Sequence, residues 1–276
     1  MHTLDATLDR AAEAIAQADA ILIGAGAGMG VDSGLPDFRG PAGFWEAYPA
    51  LRHLRVRFEE MANPRWFDEE PRLAWAFYGH RLHLYRETVP HAGFRHLLEL
   101  AGDRPVFVFT SNVDGQFQKA GFAAGSICEV HGTIHHLQRV DGRGHIWPAD
   151  GVTVDIDPAT FRVRGELPRC PETGQLARPN VLMFGDWSWR SERTDAQHDR
   201  YRAFLERVGR GRLVAIELGA GTAIPTVRNE CARRGEVLVR INPRESHGPR
   251  GTFSLPLGAA EATRRLVERS NQMLGA

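Results

Sequence analysis

Two groups of residues carry types and spacings suited to chemistry. The first is a glycine run, Gly24-Ala25-Gly26-Ala27-Gly28-Met29-Gly30, continuing as Val31-Asp32-Ser33-Gly34-Leu35-Pro36-Asp37-Phe38-Arg39. Glycines at alternate positions let the backbone take positive φ and approach a ligand closely. Consecutive N–H groups can then face a pyrophosphate. A plain surface turn has a similar composition, and no strict G-x-G-x-x-G is present, because Met29, Val31 and Ser33 stand where a third glycine would fall. The distinguishing feature is the continuation, a rigid Pro36 followed by an acid, an aromatic and a base.

The second group is polar. Asn112 and Asp114 sit in Thr110-Ser111-Asn112-Val113-Asp114-Gly115, and His131, His135 and His136 follow Glu129. Three histidines invite a metal reading, but His135 and His136 are adjacent and would point to opposite faces of a strand. Only Cys128 lies near them, so no metal site is expected.

These residues need elements to hold them. Ala20–Ile23 reads as a buried parallel strand leading into the glycine run, after an opening helix over Thr7–Ala18. Val106–Phe109 and Ile127–Val130 read as further strands, with a helix over His91–Leu100 before them. Leu213–Leu218 is a strand ending in a second glycine loop, Gly219-Ala220-Gly221-Thr222, and Glu236–Ile241 is another, ending at Asn242-Pro243. Helices are expected over Tyr201–Val208, Thr226–Arg234 and Ala259–Leu274. Strands alternating with helices give an α/β fold, a doubly wound parallel sheet of Rossmann-like type, in which ligands lie beyond the carboxyl ends of strands. Three polar or glycine-rich loops, after Ile23, Phe109 and Leu218, converge on that edge and argue for a dinucleotide.

Two stretches break the alternation. Residues 41–90 show no strand pattern and are rich in aromatics, which suggests an inserted helical module. Residues 137–177 contain alternating Val152, Val154 and Ile156, then Phe161 and Val163, around an Asp157-Pro158 turn, the pattern of a β-hairpin. Arg178–Trp187 is expected to return the chain to the sheet. The nucleotide-binding domain is therefore expected over 1–40, 91–136 and 178–276, with 41–90 and 137–177 as small inserted modules.

The chain of 276 residues balances 34 Lys and Arg against 34 Asp and Glu, so nothing electrostatic points to nucleic acid or an anionic membrane as partner. Three well-separated cysteines form no disulfide framework. No signal peptide or membrane-spanning stretch is read, and a soluble cytoplasmic protein is expected. Nothing indicates an oligomeric state.

The motifs, taken in order, resemble those of the sirtuin family. Gly26–Arg39 resembles its NAD-binding signature, Thr110–Gly115 its T-Q-N-I-D-G, Glu129-Val130-His131-Gly132-Thr133 its E-x-H-G-S, and Arg178–Asp186 its R-P-x-V-V-x-F-G-E. Gly219–Thr222 stands at its G-T-S and Ile241-Asn242 at its I-N. The resemblance implies NAD as cofactor and an acylated lysine peptide or protein as substrate. It implies release of nicotinamide and transfer of the acyl group to ADP-ribose. ADP-ribosyl transfer, NAD hydrolysis and non-catalytic NAD sensing are the alternatives.

The resemblance also assigns residues. Gly26, Ala27, Gly28 and Arg39 would line pyrophosphate and ribose, and Asp37 and Phe38 nicotinamide. Ser111 falls in the ribose contacts, where the family has glutamine. Asn112 and Asp114 would hold carboxamide and ribose, while Gly219, Gly221 and Asn242 serve phosphate and adenosine. His131 would be the general base, since a group titrating near neutrality suits proton removal from a ribose hydroxyl. Phe184, Gly185 and Asp186 would form a strand-like edge for the peptide. Tyr78-Gly79-His80-Arg81 resembles the Y-x-x-R of sirtuins that take acidic acyl groups, the two side chains sharing one helix face. The family's zinc cysteines are reduced to Cys170, so no zinc is expected.

Overall fold

The computed structural model describes residues 3–37, 48, 49, 51 and 55–274. Phe38 and Arg39 lie outside the described residues. A six-stranded sheet contains β1 (Ala20–Ala25), β2 (Val106–Thr110), β3 (Ile127–Glu129), β9 (Leu213–Leu218), β10 (Val237–Ile241) and β11 (Phe253–Leu255). Its order is β11-β10-β9-β1-β2-β3, with every pair parallel. The strand order reverses at β1, between β9 and β2, and such a reversal opens a crevice at the carboxyl edge.

The sheet is apolar on both faces because helices cover both. Ile21, Ile23 and Ala25 point to one side, among Leu8, Ile15, Phe94, Leu97 and Leu266. These come from the Leu4–Ala16, Ala92–Ala101 and Ala259–Leu274 helices. Ala20 and Leu22 point to the other, among Phe107, Tyr201, Phe204, Val227 and Cys231. The period-two alternation of the strand decides which helix layer each residue meets. Each fully buried Leu, Ile or Phe contributes roughly 1.5–3 kcal/mol.

A second core lies away from the sheet. Pro71 opens a helix to Glu87, its missing N–H costing nothing in the first turn. Leu73, Trp75, Phe77, Tyr78 and Leu82 on that helix pack against Ile134, Leu137, Val163 and Val181. Trp75 Nε1 donates to the Ala177 carbonyl at 2.8 Å, which satisfies the indole where it is buried.

Two expectations are corrected. Arg178–Trp187 does not rejoin the parallel sheet: β8 (Ala177–Val181) pairs antiparallel with β4 (Gly132–Arg139), flanked by β5 (Trp147–Pro148). The reason lies at Gly132, with φ +74°, which turns the chain out of the parallel layer immediately after β3. A Cβ there would meet the Asn180 carbonyl oxygen at 2.1 Å, so only glycine lets the two strands start their pairing. The hairpin expected over Val152–Val163 is shorter, β6 (Asp155–Asp157) against β7 (Arg162–Arg164).

Candidate functional site

The two glycine loops follow adjacent strands and meet main chain to main chain. The Gly26 N–H donates to the Leu218 carbonyl and the Gly28 N–H to that of Gly219, both at 3.0 Å. A Cβ on Gly28 would lie 2.7 Å from Gly219 Cα, and one on Gly219, with φ +62°, 2.3 Å from the Gly28 carbonyl carbon. Gly28 therefore serves loop-to-loop packing behind the cleft, while Gly26, Ala27, Gly219 and Gly221 form its wall. The short 3₁₀ turn over Ala27–Ser33 has no side-chain cap, so its leading amides are not claimed by a neighbouring side chain.

The third loop is tied to the first. Thr110 Oγ1 donates to the Ala25 carbonyl at 2.9 Å and accepts from the Asn112 N–H at 3.0 Å. Asn112 Nδ2 then donates to the Gly26 carbonyl at 3.0 Å. The cleft measures about 580 Å³ and is also walled by Asp37, Ser111, Asn112, Asp114 and His131. That volume is in the range of roughly 300–1,000 Å³ that small-molecule and cofactor sites occupy. Asn242 stands behind the wall: its Nδ2 holds the Ala220 carbonyl at 3.1 Å, and its Oδ1 accepts from the Arg244 and Glu245 N–H groups at 3.0 Å. Asp37 crosses the mouth to Arg244, with 2.9 Å between Oδ2 and Nη2.

His131 follows β3 and is half-buried. Its carbonyl accepts from the Leu182 N–H at 2.9 Å, so the turn between the two sheets fixes its backbone. Burial holds its imidazole below the usual value of 6.5, partly opposed by a hydrogen bond to the Ser111 backbone. The ring is uncharged at neutral pH and able to accept a proton. Asp114 is 9% exposed, and burial pushes its carboxyl up to about 6, a hydrogen bond from the Gln116 N–H opposing this. That bond is 2.9 Å long. His135 Nε2 contacts the Asp114 carbonyl at 2.9 Å across Gly115. His135 thus ties β4 to the loop that carries Asp114. Among the described residues, no three His, Cys, Asp or Glu are grouped to hold a metal ion.

The far end of the cleft is made by side chains. Tyr78 and Arg81 line it at 1% and 5% exposure, with Phe58, Tyr85, Met183 and Phe184. The Arg81 guanidinium lies 5.3–5.8 Å from the ring centroids of Phe58, Phe77, Tyr78 and Tyr85. Of the expected peptide edge, only Phe184 walls the cleft. Phe184 and Gly185 form a turn rather than a strand, the Gly185 φ being +68°. Asp186 faces inward. Its oxygens take Arg178 Nη1 and Nη2 at 2.7 and 3.0 Å, and both side chains are fully buried.

Tyr85, Gln116 and Glu245 were not singled out from the sequence. Tyr85 had a legible signal, because it stands four residues beyond Arg81 on the same helix face. Glu245 reaches the cleft only through the turn after β10, which no spacing rule indicates.

The model of the Sir2 family matches residues 26–202. A curated NAD-dependent protein deacylase of Thermococcus kodakarensis is 33% identical over 182 residues, which is 65% of this chain and 65% of that protein. The match thus spans just under two thirds of that relative's length. One of Deinococcus radiodurans is 28% identical over 270 residues, 95% of this chain and 98% of that protein. Among solved structures, a Sir2 homologue crystallised as its NAD complex superposes with a TM-score of 0.73 at 25% identity, covering 96% of this chain and 94% of that one.

Proposed function

The chain belongs to the Sir2 family, and on that premise we propose that it is an NAD-dependent protein lysine deacylase with a preference for acidic acyl groups. The observation that carries the reading is a single cleft with the glycine loops at one end, Tyr78 and Arg81 at the other, and His131 in its wall. When bound, NAD supplies nicotinamide as leaving group and ADP-ribose as acyl acceptor.

The wall fits such a molecule. Gly26, Ala27, Gly219 and Gly221 present main chain to the pyrophosphate. Ser111, Asn112 and Asp114, which line the cleft, would hold the ribose and carboxamide, and Asp37 would stand beside the nicotinamide. Gly28 and Asn242 hold these loops in place from behind. Phe38 and Arg39 belong to the proposal on the resemblance alone. His131, neutral because it is buried, removes a proton from a ribose hydroxyl. The acyl-lysine of a protein or peptide would enter beside Phe184, with the Arg81 guanidinium supplying the positive charge for a distal carboxylate. Gly185 shapes the turn at this entrance, and Asp186 fixes that turn through Arg178.

No zinc is part of this proposal. The Cys170 loop is closed by its own backbone, Cys170 N–H to Gln175 O at 2.8 Å and Gly174 N–H to Cys170 O at 2.9 Å. Metal analysis finding stoichiometric zinc in the purified protein would count against it. A reducing compartment, the cytoplasm, suits three buried and unpaired thiols. No described helix is long and apolar enough to cross a membrane.

The test is nicotinamide release with NAD and a panel of acetyl-, butyryl- and succinyl-lysine peptides. Release that requires an acyl-lysine and is fastest with succinyl is expected, and Arg81→Met should remove the succinyl preference. Release independent of peptide would replace the reading with NAD hydrolysis or ADP-ribosyl transfer. An Arg81→Met ratio equal to wild type would withdraw the acidic-acyl preference.

A further inference from the structure

Hydrogen-bond accounting at the acyl end of the cleft leaves donors without acceptors. A phenol oxygen has two lone pairs and one O–H. Arg81 donates into the Tyr85 oxygen from Nε at 3.0 Å and from Nη2 at 2.8 Å, which fills both lone pairs. The Tyr85 O–H is left to donate, and no acceptor for it is found among the described residues. The Tyr78 hydroxyl, also buried, has no hydrogen-bond partner among the described residues. Both residues line the cleft, at 5% and 1% exposure. Buried O–H groups are rarely left unsatisfied, and an exception calls for an absent partner.

A partner for both hydroxyls must accept hydrogen bonds. An aliphatic acyl chain offers no acceptor at its tip, and a carboxylate offers two oxygens. We infer that Tyr85 is a specificity-determining residue of the acyl site, its Arg81-held hydroxyl donating to the distal carboxylate of an acidic acyl-lysine beside the hydroxyl of Tyr78. This deepens the acidic-acyl reading and rests on it.

Residues 78, 81 and 85 lie at helical spacing on one face of the Pro71–Glu87 helix. The guanidinium that polarises the Tyr85 hydroxyl is enclosed by aromatic rings, which strengthens each charge-assisted bond by excluding water. Gln116 Nε2 donates to the Tyr85 backbone carbonyl at 3.0 Å, tying this turn of the helix to the loop that carries Asp114.

The test compares kcat/KM for succinyl- and butyryl-lysine peptides, because butyryl has the same chain length without the charge. Tyr85→Phe keeps the ring and should lower the succinyl-to-butyryl ratio about tenfold, the usual effect of one hydrogen bond to a charged group. Butyryl turnover on the same sample reports on folding. A ratio unchanged in Tyr85→Phe but lowered in Arg81→Met overturns the role of Tyr85 and leaves the acidic-acyl reading standing. A ratio unchanged in both variants overturns both. In an Arg81→Met background, a further fall on adding Tyr85→Phe supports direct donation to the substrate. The absence of a further fall would reduce Tyr85 to positioning Arg81 and overturn the contact.

Discussion

At the rim of the parallel sheet, the cleft wall is main chain. Gly28 and Gly219 approach so closely that neither has room for a Cβ, and the Gly26 and Gly28 amides donate to the Leu218 and Gly219 carbonyls opposite. At the opposite end, the wall is side chain: Tyr78, Arg81 and Tyr85 from one helix, Phe58 and Phe184 from flanking segments. Main chain recognises what every dinucleotide shares, phosphate charge and sugar hydroxyls, and it tolerates few substitutions because glycine has no substitute there. Side chains recognise what differs between substrates, and they can be exchanged without rebuilding the backbone. On the proposed reading, cofactor recognition and acyl selectivity fall to these two ends, which rest on different hydrophobic cores.

His131, the proposed base, walls the same cleft, so its loss should have the largest effect on turnover. His131→Ala is expected to reduce deacylation by about 10²- to 10⁴-fold, the usual contribution of a general base, with NAD affinity in calorimetry changed little. Equal loss of affinity and turnover would mean that the ring belongs to the binding wall instead.

The side-chain end depends on a buried ion pair. Asp186→Ala leaves the fully buried Arg178 guanidinium without its carboxylate, and should destabilise the protein by about 3–5 kcal/mol in chemical denaturation. A cost below about 1 kcal/mol would show that the turn after β8 stands without it.

The main-chain end is tested by Gly28→Ala, whose Cβ would fall 2.7 Å from Gly219 Cα. Overpacking of this kind costs about 1–3 kcal/mol. NAD affinity should fall, while the succinyl-to-butyryl ratio holds. A shifted ratio would show that the two ends are coupled.

The mildest perturbation is pH. Burial holds His131 below its usual 6.5 and raises Asp114 to about 6. Falling pH therefore discharges the Asp114 carboxylate near 6 and protonates the His131 base below its usual 6.5. The kcat/KM profile should be flat near neutrality and fall on the acid side around pH 6, with His131→Ala reshaping that limb. A limb centred above pH 7 would contradict the buried position of both groups.

Much of the parallel sheet was legible because its strands are short apolar runs ending in glycine or Asx turns, the pattern that burial on both faces imposes. Leu213–Leu218, Thr226–Arg234 and Ala259–Leu274 have the bounds their periodicity indicates. β11 was not legible, since three residues give no periodicity. Nor was the extent of β4, because the run from Gly132 to Arg139 mixes apolar and polar residues without a clean alternation.

The sequence by itself determined most strands and helices of the parallel layer, the glycine loops and the identity of the polar residues that follow them, because local sterics and hydrophobic period act over a few neighbours. Only the tertiary structure decided that Asp186 turns inward to Arg178, that Gly28 packs against Gly219 rather than lining the cleft, and that Tyr85 stands beside Arg81 with a hydroxyl to spare. Each of those outcomes depends on which distant segment supplies the partner, and on whether water is excluded there. Neither is encoded within the reach of a turn of helix or a pair of strand residues.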